Sequence, residues 1–493
     1  MSFFEFFRKS GDTEKEPSVA EQGIPPQIDE MERAYRDIYK NSADVVVMRE
    51  KSVHGHEFLI AFIDGMASSD LIDRDIVLPL LQTAKSAEEY QMFAAGTTKT
   101  NTIAESADTI LEGNAFVYID GSANGISVDF KDFAMRAVTE PTAEAVMRGS
   151  REGFIESFRT NAALLRRRIH STDLAFENFK IGRLTRTNVA LAYMESLVDR
   201  EILDKVRCQI NNIEADSILD SGYIEQYIEK HKNSLFATIG NTQKPDVAAA
   251  KILEGRICII VDGSPHVLTI PHLFIENLQT ADDYYSRPFI VSALRLLRLA
   301  ALLISIFLPA LYIVFQNYNQ EMVPTSLLIT MMSLREGIPF PVTVEVIVMM
   351  VLFEFLKESG LRLPRQIGSA ISIVGALIVG DAAVSAGIVS APTVIVVAAA
   401  ALSAYIVPPL NDVVSFYRII LILAAATFGI LGITFGIVWL VMQTSSLDSF
   451  GVSYMLPLTP QNKEGMRDFL IRFPLRRGRH IPFSSQNNNK RDF

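Results

Sequence analysis

Cysteine is nearly absent from this chain of 493 residues: Cys208 and Cys258 are the whole supply. Two cysteines make no disulfide framework, and no Cys/His ligand spacing surrounds either, which argues against a zinc site. Cys258 sits in an apolar strand pattern and reads as a core residue. Tryptophan occurs once, at Trp439. Charge is thin as well, at 21% of residues against 49% hydrophobic, and the mean hydropathy is +0.23. Soluble domains average about 25% charged, so a simple soluble enzyme is a poor fit. No Walker-type loop and no Gly-x-Gly-x-x-Gly occurs, which leaves nucleotide chemistry without a motif. The start, Met1 to Lys9, lacks a long apolar core and does not read as a signal peptide.

The charge that is present is unevenly placed. Residues 1–288 carry net −14, residues 289–444 net zero and residues 445–493 net +4. An acidic half is a poor nucleic-acid binder. In the neutral half, Arg298 to Glu321 encloses 22 uncharged residues, Asp381 to Asp412 encloses 30 and Arg418 to Asp448 encloses 29. A membrane helix needs about 20 apolar residues, so several such runs in succession predict a polytopic membrane domain.

The acidic half contains a repeat. Ile110-Leu-Glu-Gly-Asn-Ala-Phe-Val-Tyr-Ile-Asp-Gly-Ser122 matches Ile252-Leu-Glu-Gly-Arg-Ile-Cys-Ile-Ile-Val-Asp-Gly-Ser264, with seven of thirteen positions identical at an offset of 142. A weaker match pairs Ala61–Asp64 with Ala192–Glu195. The half therefore reads as two related α/β subdomains, 41–140 and 170–288. They follow a flexible segment 1–40 and are joined by an arm and helix, 141–169. Each has a strand (58–64; 189–195), a helix (72–82; 202–210) and a later strand that turns at Asp-Gly and returns. Asp120 and Asp262 could contact a ligand; the plainer reading is a hairpin turn, since glycine accepts positive φ. The arm's Arg148, Arg151, Arg159 and Arg166 to Arg168 could bind phosphate or a partner, but internal ion pairing is the plainer reading there too.

The membrane half, 289–444, reads as five or six spans, and a basic tail, 445–493, follows it. The segments are 293–316, a short stretch 323–334, 342–356, 367–384, 391–407 and 416–442. Arg335-Glu336-Gly337-Ile338-Pro339-Phe340-Pro341 must break any helix, because proline removes backbone donors. Broken helices at membrane depth are tolerated inside protein or beside water. Glu345 follows the break, and a charge at the bilayer centre costs about 2.5–3.5 kcal/mol. Glu345 and Asp381 are therefore the candidates for an ion pathway, with Arg335, Glu336, Pro339, Phe340 and Pro341 around the break. Glu354 reads as a surface ion pair with Lys357. Ser372, Ala376 and Gly380, at four-residue spacing, are candidates for close helix packing. Neither five nor six crossings places every basic loop on the cytoplasmic side.

These motifs resemble the A subunits of spore germination receptors, the GerA type. The resemblance rests on Glu140-Pro-Thr to Arg-Arg-Arg-Ile169, Ser221-Gly-Tyr-Ile-Glu, Leu253-Glu-Gly-Arg-Ile and Val261-Asp-Gly-Ser-Pro. In the membrane half it rests on Leu308-Pro-Ala-Leu-Tyr312, Arg335 to Pro341, Leu363-Pro-Arg-Gln-Ile-Gly368, Ile373-Val-Gly-Ala-Leu377, Ser449-Phe-Gly-Val and Arg472-Phe-Pro. It implies a multi-pass protein of the spore inner membrane with its N-terminal region cytoplasmic. It implies partners too: a permease-like B subunit, a lipoprotein C subunit and further copies of the chain, which form a nutrient-gated ion channel among membrane lipid. It carries no catalytic residues, cofactor or metal. The alternatives are a stage V sporulation AF-type paralogue and a stand-alone secondary transporter; no repeat in the membrane half favours the latter.

Overall fold

An uninterrupted apolar strand such as Phe58–Ile63 is stable only if both of its faces are covered. The computed structural model covers both. It describes residues 23–53, 55–83, 96–131, 148–362, 380–459 and 469–472. The chain divides into two units, one running up to Glu229 and including Ile239–Ile270, the other comprising Lys230–Thr238 and Pro271–Phe483.

The first unit holds two five-stranded sheets. In the first half, α1 (Ile28–Ile38), β1 (Val45–Lys51), β2 (Glu57–Ile63), β3 (Thr97–Thr100), α2 (Ile103–Leu111), β4 (Ala115–Ile119) and β5 (Gly125–Val128) follow in order. In the second, α3 (Phe158–Arg166), β6 (Leu174–Ile181), β7 (Thr187–Met194), α4 (Arg200–Asn211), α5 (Ser221–Ile228), β8 (Gly240–Thr242), α6 (Pro245–Leu253), β9 (Ile257–Val261) and β10 (Val267–Ile270) do so. The sheet orders are β1-β2-β4-β5-β3 and β6-β7-β9-β10-β8, the same topology twice. Strands and helices alternate, but every strand pair is antiparallel. Registers such as Ile60↔Val117 and Leu191↔Ile259 mark equivalent pairs.

Side-chain alternation distributes each sheet between two helical layers. Leu59, Ala61, Phe116 and Tyr118 pack with Ile28, Met31 and Tyr35 of α1 and Ile103 and Ile110 of α2. Phe58, Ile60, Val117 and Ile119 face the other way, onto Ile72, Ile76 and Leu80 of the helical stretch 69–83. The expectation of a flexible segment through residue 40 is thus corrected. Its last part is a helix whose Ile28, Met31 and Tyr35 lie one face apart and are buried, with the Tyr35 hydroxyl donating to Ser106 Oγ at 2.6 Å. Dense charge on the opposite face hides that stripe from composition.

The repeat extends to its turns. Gly121 and Gly263 follow the two aspartates at φ of 84° and 86°, which only glycine adopts without strain. Asp120 Oδ1 accepts from Ile28 N at 3.0 Å and Asp262 Oδ1 from Phe158 N at 3.2 Å. Each carboxylate sits at the first turn of the equivalent helix, α1 or α3, where negative charge is favourable. Cys258 is fully buried in β9, and burial pushes its thiol up to about 12.

One acid stands out on α5. Burial, and then Glu229 and Asp220, push the Glu225 carboxyl up from 4.5 to about 7. A folded pKa above the unfolded one adds stability below pH 4.5 that disappears as pH rises to 7. Amide-exchange protection of α5 in the full-length chain should fall across that window, and Glu225→Gln should flatten the fall. An equally steep profile in the variant would contradict the assignment.

In the second unit, α7 (Pro288–Asn317), α8 (Thr325–Ser333), α9 (Val342–Arg362), α10 (Ala391–Ala404), α11 (Asn411–Phe428) and α12 (Ile430–Ser446) form a helical assembly. Its core is built from Ile313, Val346, Met349, Val397, Ala400 and Ile422. Besides Lys230–Thr238, the unit takes in the chain from Pro271, ahead of the expected 289. Among the described residues, two helices are long and apolar enough to cross a membrane, Pro288–Asn317 and Pro408–Phe428.

The single span expected at 416–442 is corrected to two helices. Gly429, at φ 59°, breaks the run between α11 and α12. The Tyr417 and Trp439 rings lie against each other, tilted by 44° with centroids 5.0 Å apart, so the helices fold back as a hairpin. A Cβ at Gly432 would lie 2.0 Å from the Ala424 carbonyl oxygen. An uninterrupted apolar run carries no sign of such a fold beyond its glycines. Backbone cannot move aside as a side chain can, so Gly432→Ala should cost about 1–3 kcal/mol. A lower thermal midpoint of the purified protein is the expected result, and an unchanged midpoint would contradict the close approach.

Candidate functional site

Burying a carboxylate among apolar helices is tolerated only when its charge and lone pairs are answered. Glu345, in the first turn of α9, is 1% exposed. Its Oε1 accepts from Arg335 Nη2 at 3.1 Å. Its Oε2 accepts from Ser390 N and Ser390 Oγ, each at 2.8 Å, and from Thr393 Oγ1 at 3.1 Å. Ser390 is the N-cap of α10, so the carboxylate sits at the positive end of a helix dipole. Thr393 Oγ1 is also 3.2 Å from the Tyr312 hydroxyl of α7. One side chain thereby ties together the break after α8, the start of α9, the start of α10 and the far part of α7.

Arg335 comes from the broken segment, where Gly337 has φ 92° and Pro339, Phe340 and Pro341 are exposed. Its side chain is 24% exposed, and its buried Nε meets no acceptor. Glu336 is exposed and joins no described pair. Asp381 is exposed, in the helical turns 380–385, and is not brought to Glu345. Ser372 and Ala376 lie outside the described residues. Gly380 is buried, and a Cβ there would contact Val394 of α10 at 3.6 Å. Sequence reasoning missed Ser390, Thr393 and Tyr312, whose hydroxyls are ordinary in a helical run; the unpaired charge of Glu345 was the one signal that partners existed.

A second polar group lies at the other end of α9. Glu354 pairs with Lys357, as expected, but it also accepts from Ser415 Oγ at 3.4 Å and lies 3.7 Å from Arg418 Nη2.

A third group fixes the start of α7. Asp283, 1% exposed, accepts from Arg295 Nε at 3.0 Å and Arg298 Nη1 at 2.8 Å. Burial opposes its ionisation, but the Arg298 and Arg295 guanidiniums outweigh that and hold its carboxyl below the usual range. Arg472, from the basic tail, donates to the Ser286 and Tyr284 carbonyls at 2.6 and 3.0 Å. Asp448, just past α12, accepts from Lys230 at 2.6 Å. In the arm of the first unit, Arg159 pairs with Asp64, Arg166 with Asp44, and Arg167 and Arg168 with Glu152.

The family model described as Bacillus/Clostridium GerA spore germination protein matches residues 33–482. The chain is 39% identical over 447 residues to spore germination protein KA of Bacillus subtilis (strain 168), covering 88% of this chain and 82% of that protein. It is 37% identical over 460 residues to the uncharacterized membrane protein YfkQ of the same organism, covering 92% and 90%. It is 33% identical to spore germination protein GerLA of Bacillus cereus, covering 76% and 77%. Among solved structures, the N-terminal domain of the A subunit of the Bacillus megaterium spore germinant receptor GerK3 is 29% identical. It covers 51% of this chain and 98% of that one, with a TM-score of 0.39.

Proposed function

Since the chain belongs to the Bacillus/Clostridium GerA spore germination protein family, we propose that it is the A subunit of a nutrient germinant receptor. In this reading it lies in the spore inner membrane with a permease-like B subunit and a lipoprotein C subunit. Copies of it assemble into an ion channel that opens when nutrient binds. The observation that carries the reading is the buried Glu345 group. An intramembrane ionisable residue beside a broken helix marks an ion or substrate path by default, and here it joins four helical segments at one point. The large apolar side chains left exposed on the same helices, such as Leu303, Val348, Ile395, Leu423 and Phe435, suit lipid and neighbouring copies.

The proposal includes an orientation. Arg472 binds carbonyls at the start of α7, so the tail and that start share a side and the crossings are even in number. At the far end of α7, Tyr318 donates to the Ala426 carbonyl beside the Gly429 turn. α9 and α10 both begin near Glu345, and α9 runs from there back to the side on which α7 starts. Lys357 then falls on the side of Arg295, Arg298 and the tail, as the positive-inside rule requires. The broken stretch around α8 does not cross.

Co-purification from spores with a mass measurement tests the assignment. A complex holding B and C subunits and several copies of this chain is expected. A lone monomer would favour the transporter alternative, and an oligomer without a permease-like partner the sporulation paralogue.

A further inference from the structure

Arg418 lies on α11 between outward-facing Phe416 and Ile419, yet it is 5% exposed itself. Its Nε and Nη1 are buried and meet no acceptor. The nearest carboxylate, Glu354, stands 3.7 Å from Nη2, beyond hydrogen-bonding distance, and is already engaged by Lys357 and Ser415. Two cations, Arg418 and Lys357, whose side chain is 11% exposed, thus share one anion among apolar helices. Guanidinium cannot shed its proton, and a buried cation with idle donors is strongly unfavourable. The imbalance is answered if something brings both negative charge and lone pairs. A carboxylate from another chain would have to pass the apolar flanks to reach so enclosed a guanidinium, whereas a small ion would not.

We propose that Arg418, with Lys357 beside it, holds a small inorganic anion inside the helical unit. The site is separate from Glu345, whose charge is already matched by Arg335. It does not depend on the chain being a channel, and failure of either idea leaves the other standing.

The probe is chloride. Purified full-length protein is titrated from gluconate into chloride at constant ionic strength, and its thermal midpoint is followed. A ligand that binds the folded state raises the midpoint saturably. Wild type should show that rise and Arg418→Gln should lose it. Glu354→Gln removes the competing carboxylate and should saturate at about tenfold lower chloride, a change worth about 1.4 kcal/mol. A purely structural salt bridge predicts no such gain. No saturable rise in wild type, or the same rise in Arg418→Gln, would overturn the proposal. If Arg418→Gln does not fold, Glu354→Gln decides alone, and an unchanged half-saturation point overturns it.

Discussion

Glu345→Ala is expected to abolish nutrient-triggered ion release from spores and to weaken the helical unit. The substitution strips the acceptor from Arg335, from the Ser390 amide and hydroxyl and from Thr393 in one step. Removing one member of a buried pair costs about 3–5 kcal/mol, because the partner is left charged and unanswered. That loss alone could explain a silent receptor, so Glu345→Gln is the sharper variant. An amide keeps an oxygen for Ser390 and Thr393 but gives up the charge that Arg335 needs. Paired with Arg335→Gln, it should recover part of the stability, as coupled residues do, while ion release stays low. Spores of the double variant that accumulate normal amounts of protein and still release ions normally on nutrient would show that the charge plays no part in conduction.

Arg166→Ala is expected to destabilise the first unit by about 3–5 kcal/mol. Arg166 is fully buried, and its Nε and Nη2 donate to Asp44 at 2.7 and 2.9 Å. Nη2 also reaches Ser42 Oγ, Nη1 reaches the Ser171 carbonyl, and the guanidinium lies 5.0 Å from the Phe176 ring. The residues it holds are those where the halves of the unit meet: Ala43 N donates to the Phe176 carbonyl and Phe176 N to that of Asn41. Losing the arginine leaves the buried Asp44 carboxylate with no cation, so the two sheets should lose their common seam. Lysine should rescue little, since it cannot supply a planar two-pronged donor. Limited proteolysis of the full-length protein should find new cleavage around 41–44 in the variant; wild-type resistance there would contradict the role.

The repeat was readable because identical turn chemistry recurs at one offset, and β4, β5 and α2 fall 142 residues before β9, β10 and α6. The edge strands β1 and β6 were not readable. One is half-polar and the other alternates into charge, so neither shows the continuous apolar run of a central strand. α1 was lost for a related reason, its few apolar residues being spread among charges. In the helical unit, Glu345 was legible as an anomaly, whereas its partners on α10 lie 45 and 48 residues further along the chain. Nothing local in sequence announces such a pairing. Arg418 marked the edge of an uncharged run and drew no notice, because burial is a property of the packed helices.

The proposed channel requires that this chain supply the conducting path and that nutrient open it. The direct measurement is ion flux from liposomes holding the purified complex, with and without nutrient. Wild-type complex should release ions only when nutrient is added, and complex carrying Glu345→Gln should release far less while assembling normally. Equal nutrient-triggered flux from B and C subunits reconstituted without this chain would contradict the claim.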